Sequence, residues 1–313
     1  MPEKILVALG GNALIKTGQI GTIQEQRNNL EEPLSQLVEL IRQGHQLVVT
    51  HGNGPQVGHI LIRVEEARGK AYDLPLDVCV AQSQGEIGCL IQQGLHNLMQ
   101  RQKINRPITT VVSQVVVDAD DPRMKIPTKP IGPFYTKEQI KALMERGYDI
   151  AEDAHRGYRR VVPSPLPIRI VESEVLRQIF ESGTIVIAVG GGGIPVSATQ
   201  DDKIKGVEAI IDKDWSSSLL AIDIGAERLL NLTSVDYAKL HFESSREQDL
   251  ELVTVSQAKQ YLAEGHFLPG SMEPKMEAAV HFLENGGREV IITSPNNALQ
   301  GFRGKTGTHV VRN

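Results

Sequence analysis

The chain reads as an open α/β fold built on a parallel sheet, and three stretches carry that prediction. Lys4-Ile5-Leu6-Val7-Ala8-Leu9 runs into Gly10-Gly11, Leu47-Val48-Val49-Thr50 into His51-Gly52-Asn53-Gly54, and Ile185-Val186-Ile187-Ala188-Val189 into Gly190-Gly191-Gly192-Gly193. Each is an apolar run of strand length ending in glycines, where backbone can approach an anion closely. Strand ends of this kind in one open sheet line a single crevice, so an anion site for phosphoryl groups is expected there. One Gly-Gly would only permit a sharp bend. The recurrence, with Asn12 and Asn53 just past glycine in two of the turns, is what points to a ligand.

After the first turn, Lys16 to Asn28 is polar and reads as a loop leading into a helix. Leu30, Leu34, Leu37, Val38 and Ile41 share one helical face, and Gly44 is placed to end that helix. Pro33 then belongs to the first helical turn or to a bend. The unit strand–helix–strand closes by Thr50, so the first two glycine turns belong to neighbouring parallel strands. Val57 to Glu66 and Asp77 to Leu98 have helical spacing, and TTVVSQVVV, residues 109–117, reads as one strand from its β-branched content.

Residues 118–168 change character, being rich in proline and charge, and read as a lid-like subdomain inserted between core elements. Within it PTKPIGPFY should be ordered but irregular, and Gln139 to Glu145 helical. The face Val171, Val175, Leu176, Ile179 and Phe180 predicts the next helix, and Leu219, Leu220 and Ile222 continue another after GVEAIIDKD. The last ninety residues predict a strand at Leu229–Leu232 ending in Thr233-Ser234, then a helix at Val255–Ala263. A further helix is opened by Pro269-Gly270-Ser271-Met272-Glu273-Pro274-Lys275, and strands follow at Glu289–Thr293 and His309–Val311. A domain boundary falls between residues 222 and 223, and there is no internal repeat.

At 313 residues the chain can bury one large core or two unequal ones. Its 29 glycines and 4% aromatic content suit tight α/β packing with many strand-to-loop turns. A net charge of -5 gives no basic field for nucleic acid. Cys79 and Cys89 are the only cysteines and lack the spacing of a zinc set, so they are expected as free, partly buried thiols. No leader pattern and no apolar run of membrane-spanning length is seen, so a soluble cytoplasmic protein with no membrane partner is expected.

Neither of the first two turns is a Walker phosphate loop, and no turn carries the full dinucleotide fingerprint, which argues against a nicotinamide dehydrogenase. Three lysines stand out by context: Lys129 between prolines, Lys213 between Asp212 and Asp214, and Lys275 at a helix start. Held by rigid backbone beside glycine turns, each can serve as a fixed point charge for phosphate, although an arbitrary lysine is usually just solvated. The two aspartates either bind magnesium or hold Lys213 and the helix start in place, Asp214 as the N-cap. His51 is a general base or a hydrogen-bonded structural imidazole. Arg159-Arg160 pair with acidic surface groups.

The stretches ALGGNAL (8–14), THGNGPQVG (50–58), DVCVAQSQGEIG (77–88), PTKPIGPFY (127–135), RRVVPSPLP (159–167), GGGGIPV (190–196), VEAIIDKD (207–214) and PGSMEPK (269–275), in this order over almost the whole chain, resemble the carbamate kinases of the amino-acid kinase superfamily. The resemblance implies a three-layer αβα sandwich around a largely parallel eight-stranded sheet, assembled as a homodimer. It implies a carbamate or carbamoyl-phosphate lobe over 1–222, with the 118–168 insert as a mobile subdomain, and a nucleotide lobe over 223–313. The implied reaction is MgATP plus carbamate to MgADP plus carbamoyl phosphate, reversible and used for ATP synthesis in the arginine deiminase pathway. Lys129, Lys213 and Lys275 lie at the family's functional lysines, with Asp214 orienting Lys213 or the helix amides. Gly10, Gly11, Asn12, Gly52, Asn53 and Gly54 fall in its phosphate-handling turns. Thr233, Ser234, Tyr237, Met272 and Lys275 are expected on the nucleotide, and Mg2+ enters through the nucleotide phosphates with no protein ligand assigned.

Departures touch packing more than charge: Tyr158 stands where tryptophan is common, Trp215-Ser216 where Leu-Ala is common, and Tyr237-Ala238-Lys239 is less typical. That last stretch leaves room for an alternative, a catalytically silent nucleotide-responsive binding protein.

Overall fold

The computed structural model describes residues 2–16, 18–152, 157–199, 201 and 203–313. β1 (Lys4–Leu9) leads through the first glycine turn to α1 (Ile23–Arg42), β2 (Gln46–His51), α2 (Gly54–Glu66) and α3 (Leu76–Arg101). Then come β3 (Ile108–Thr110), β4 (Gln114–Val117), β5 (Lys129–Tyr135), α4 (Ile140–Met144), β6 (Asp149–Glu152), β7 (Tyr158–Val162) and β8 (Pro167–Ile170). α5 (Ser173–Glu181), β9 (Ile185–Ile187), β10 (Ile194–Ala198), β11 (Ile204–Gly206) and α6 (Lys213–Asp223) complete the first two-thirds. The remainder is β12 (Arg228–Leu232), β13 (Ala238–Leu240), β14 (Gln248–Leu250), β15 (Leu252–Thr254), α7 (Val255–Ala263), α8 (Glu273–Glu284), β16 (Glu289–Thr293), α9 (Ala298–Phe302) and β17 (Thr308–Val311).

Eight strands form the central sheet in the order β15-β17-β16-β12-β1-β2-β9-β3. Every pairing in it is parallel except β16 with β17. Side chains alternate across a strand, and β1 shows what that does here. Leu6 and Ala8 point into one core with Leu176 and Phe180 of α5, Leu220 of α6, Ala258 of α7 and Met276 of α8. Ile5, Val7 and Leu9 point into another with Leu34 of α1, Ile91 of α3 and Ala298 of α9. Strands buried on both faces read as continuous apolar runs, which is why the sheet was visible in the sequence. The expected three-layer αβα sandwich is the architecture found.

The insert carries the three-stranded sheet β5-β7-β6, beside a four-stranded sheet β11-β10-β4-β8. A third core binds them to the body, with Val57 and Ile60 of α2, Cys79 and Val80 of α3, Val116, Ile131, Val162 and Ile194.

Four expectations are corrected. The helix expected from Leu30 begins at Ile23, within the supposed loop, because Thr22 and Glu25 form a reciprocal capping box. Pro33 is therefore a mid-helix residue, not a first-turn one, and it is buried. TTVVSQVVV is two strands, β3 in the central sheet and β4 in the four-stranded one. PTKPIGPFY contains the strand β5, whose prolines are tolerated because β5 lies at the edge of its sheet. Of the two thiols, Cys79 is buried and Cys89 exposed. No helix of the described residues is long and apolar enough to cross a membrane.

Candidate active site

β1, β2 and β9 lie side by side in parallel, so their glycine turns open at the same edge of the sheet. Beyond them is a cleft of about 270 Å³, lined by Gly11, Gly52, Asn53, Gly54 and Gly191 on the sheet side and by Lys129, Pro130 and Ile131 of the insert opposite. Gly11 opens a short 3-10 turn and Gly54 opens α2. The first N–H groups of each have no acceptor within their own helix, so both turns offer amides to an anion.

Two of the glycines are dictated by close approach. A Cβ on Gly10 would stand 2.6 Å from Leu232 O, the carbonyl that accepts the Gly10 N–H. Gly191 has φ +67, and a Cβ there would fall 2.0 Å from the Asn53 amide. Gln84 holds the same turn from behind: its side-chain amide donates to Gly190 O and Ser113 O and accepts from Ser113 N.

The charged groups converge at the start of α6. Asp212 is the N-cap, accepting Asp214 N through Oδ1, while Oδ2 takes Lys129 Nζ at 2.7 Å. The cap is thus Asp212, not the expected Asp214. Asp214 is instead the centre of the cluster: Oδ1 accepts Lys213 Nζ at 2.5 Å and Asn231 Nδ2 at 2.9 Å, and Oδ2 accepts Lys275 Nζ at 2.8 Å. Three ammonium groups meet two carboxylates, leaving one net positive charge against the glycine amides.

Only 12% of the Lys213 side chain, 13% of Lys275 and 3% of Asp214 is exposed, so solvent does little to screen them. Burial pulls the Lys213 pKa below the ordinary lysine value, a fall that Asp214 opposes and the neighbouring Lys275 charge adds to. Burial also pulls on Lys275, but there Asp214 prevails and its pKa is raised. Burial works against an ionised Asp214, yet the two lysines hold its pKa far below the usual carboxylate range.

His51 is a structural imidazole. It is 1% exposed, Nδ1 donates to Gly52 O at 3.0 Å, and burial pushes its pKa down to about 4. Asn53 donates to Ser83 Oγ and is buried. Asn12 is exposed, and at its turn the cleft is lined by Gly11. Arg160 pairs with Glu208 at 3.0 Å. Asn231, which completes the Asp214 shell, was not anticipated from the sequence. The available signal was a lone amide inside the apolar strand Arg228–Leu232.

A second cavity of about 130 Å³ is lined by Thr233, Ser234, Tyr237, Phe242, His266 and Met272, among others. The four residues expected there from 233 to 272 are together. Residues 270–275 separate the two cavities: Gly270 and Lys275 line the first, Ser271 and Met272 the second. Asp236 pins the floor of this side by accepting Ser294 N and Asn297 Nδ2.

Residues 3–294 match the amino acid kinase family model. A carbamate kinase of Pyrococcus horikoshii is 46% identical over 313 residues, covering 99% of each chain. The Escherichia coli K12 carbamate kinase-like protein YqeA is 45% identical over 312 residues, covering 98% of this chain and 99% of its own. The solved structure of carbamate kinase from Giardia lamblia bound to AMP-PNP superposes with a TM-score of 0.94 at 38% identity, covering 100% of this chain and 99% of that one.

Proposed function

We infer, for a chain that belongs to the amino acid kinase family and is closely related to its carbamate kinases, that it transfers a phosphoryl group reversibly between ATP and carbamate. The observation that carries this reading is the Lys213–Asp214–Lys275 cluster, closed by Lys129–Asp212, facing two glycine turns on adjacent parallel strands.

In the direction of ATP formation, an ADP β-phosphate oxygen attacks the phosphorus of carbamoyl phosphate and carbamate leaves. In reverse, carbamate attacks through an oxygen that is already anionic. Neither direction demands a strong general base, which agrees with a His51 held neutral and bonded to Gly52 O. The protein's part is alignment and charge stabilisation. Amides of the Gly11 and Gly54 turns meet the transferred group from the sheet side. Lys213 and Lys275 neutralise its equatorial oxygens, and Lys275 also reaches the nucleotide phosphates. Asp214 and Asn231 keep the two lysines apart and oriented. Lys129, on the insert, holds the acceptor and ties the insert to Asp212. Thr233, Ser234, Tyr237 and Met272 take the nucleoside end.

Magnesium is part of the nucleotide substrate and supplies further neutralisation of the phosphates. Both Asp214 oxygens are committed to lysines and Asn231, so in this arrangement the carboxylate serves the two ammonium groups. On this reading residues 1–222 form the carbamate lobe and 223–313 the nucleotide lobe, in a cytoplasmic enzyme used toward ATP in arginine catabolism. It works as a homodimer. Support for the dimer comes from β3, the end strand of the central sheet, whose unpaired margin a second copy can cover.

ATP formation from carbamoyl phosphate and MgADP tests the assignment. Lys213→Ala is expected to lower kcat by roughly 10²–10⁴-fold. Wild-type turnover no higher than that variant's would reject the kinase. The less typical Tyr237-Ala238-Lys239 stretch beside the second cavity keeps a second reading in view, a binding protein that takes ADP without turnover. Calorimetric ADP binding with a flat coupled assay would establish it.

A further inference from the structure

Lys213 and Lys275 come from different helices, and the packing of α6 on α8 sets the distance between their ammonium groups. Most of that packing is apolar, with Leu220 against a face of Met276, Ala279 and Val280 in one core. Apolar burial alone is non-directional, so the fine register at the lysine end of the two helices is set more sharply by directional polar bonds. Beyond the Lys275–Asp214 pair itself, two polar crosslinks hold the register. Trp215, the residue after Asp214, donates from Nε1 to Glu277 Oε2 at 3.2 Å, and Glu277 is two residues beyond Lys275. One turn further along, Ser218 Oγ and His281 Nδ1 are 2.8 Å apart. The Trp215 and His281 rings lie between these bonds, 5.2 Å apart and tilted by 50°. Leucine in place of Trp215 would fill space without tying the helices together.

We propose that Trp215 and Glu277 are positioning residues for phosphoryl transfer: their bond locks the second turn of α8 against the first turn of α6, so that Lys213 and Lys275 meet across Asp214 at the spacing the transferred group requires. The idea rests on the phosphotransferase reading and adds the device that sets its lysine geometry. A misplacement of about 1 Å can cost on the order of 10²-fold in rate. The brace should act on kcat, since substrates also bind through the glycine turns, Lys129 and the second cavity.

The test compares Trp215→Phe, which keeps a ring and loses the N–H, with Glu277→Leu, Glu277→Gln and the Phe/Leu double variant. Trp215→Phe and Glu277→Leu should each lower kcat about 5- to 30-fold, with KM for MgADP and carbamoyl phosphate within about twofold. Glu277→Gln, which retains an acceptor, should recover most of the loss. The double variant should be no worse than the poorer single, because both changes remove the same bond. Unchanged kcat in both singles, a glutamine variant as impaired as the leucine one, or losses that multiply in the double would each overturn the proposal. A wild-type protein without turnover would defeat the kinase reading itself. The brace is then judged by the crystal structure of Glu277→Leu: a lengthened Lys275–Asp214 contact supports it, and an unmoved α8 with that contact intact overturns it.

Discussion

Asp214 has two oxygens and three donors, and the site's electrostatics turn on how those donors share it. Lys213 is buried and its pKa already lowered, so Asp214 is what keeps it charged. Asp214→Asn should therefore shift the alkaline limb of the kcat–pH profile to lower pH as well as depress kcat. A profile that only scaled down, with the limb unmoved, would contradict this account. His51 makes a prediction about stability instead. Its folded pKa of about 4 lies below the ordinary 6.5, so between those values the unfolded chain binds the extra proton. Stability should then be highest above pH 6.5 and fall as pH drops toward 4, by about 3 kcal/mol from this residue. Urea midpoints at pH 7 and pH 4.5 check it, and His51→Gln should flatten that difference. The lysines were legible because each sits in a distinctive local string. Asn231 was not, because its meaning depends on a partner 17 residues earlier in sequence.

At the level of elements, the sequence was most readable where strands are buried on both faces and least where a stretch changes sheets. TTVVSQVVV has uniform β-branched content, yet its ladder breaks at Ser113, whose N–H is taken by Gln84 Oε1. Nothing within nine residues reveals an acceptor on a distant helix. Pro33 misled in the opposite sense: a proline marks a helix boundary on average, but the capping box at Thr22 and burial of the surrounding face carry α1 through it. The glycine turns were read chiefly as anion cradles, and several prove to be equally matters of packing. Gly191→Ala should lower stability by roughly 1–3 kcal/mol through its left-handed backbone and the collision with Asn53, and turnover should fall with it. A thermal midpoint equal to wild type would show that the turn can yield.

Across the whole molecule, the end strand β3 leaves one margin of the central sheet without a neighbouring strand, beside an open cavity along α3. An exposed sheet margin is a liability that a second copy can cover. Sedimentation at micromolar concentration is expected to give a dimer, dissociated by Val112→Glu at a position 51% exposed beside β3, and a monomer in both would remove the proposed assembly. The pairing of β1 with β12, at the middle of the sheet, has a different consequence. Residues 5–9 wait for 228–232 before their second flank is occupied. A nascent chain leaving the ribosome thus holds its most oily strand half-dressed through most of its synthesis, and chaperone dependence during translation should exceed that of the finished protein on refolding.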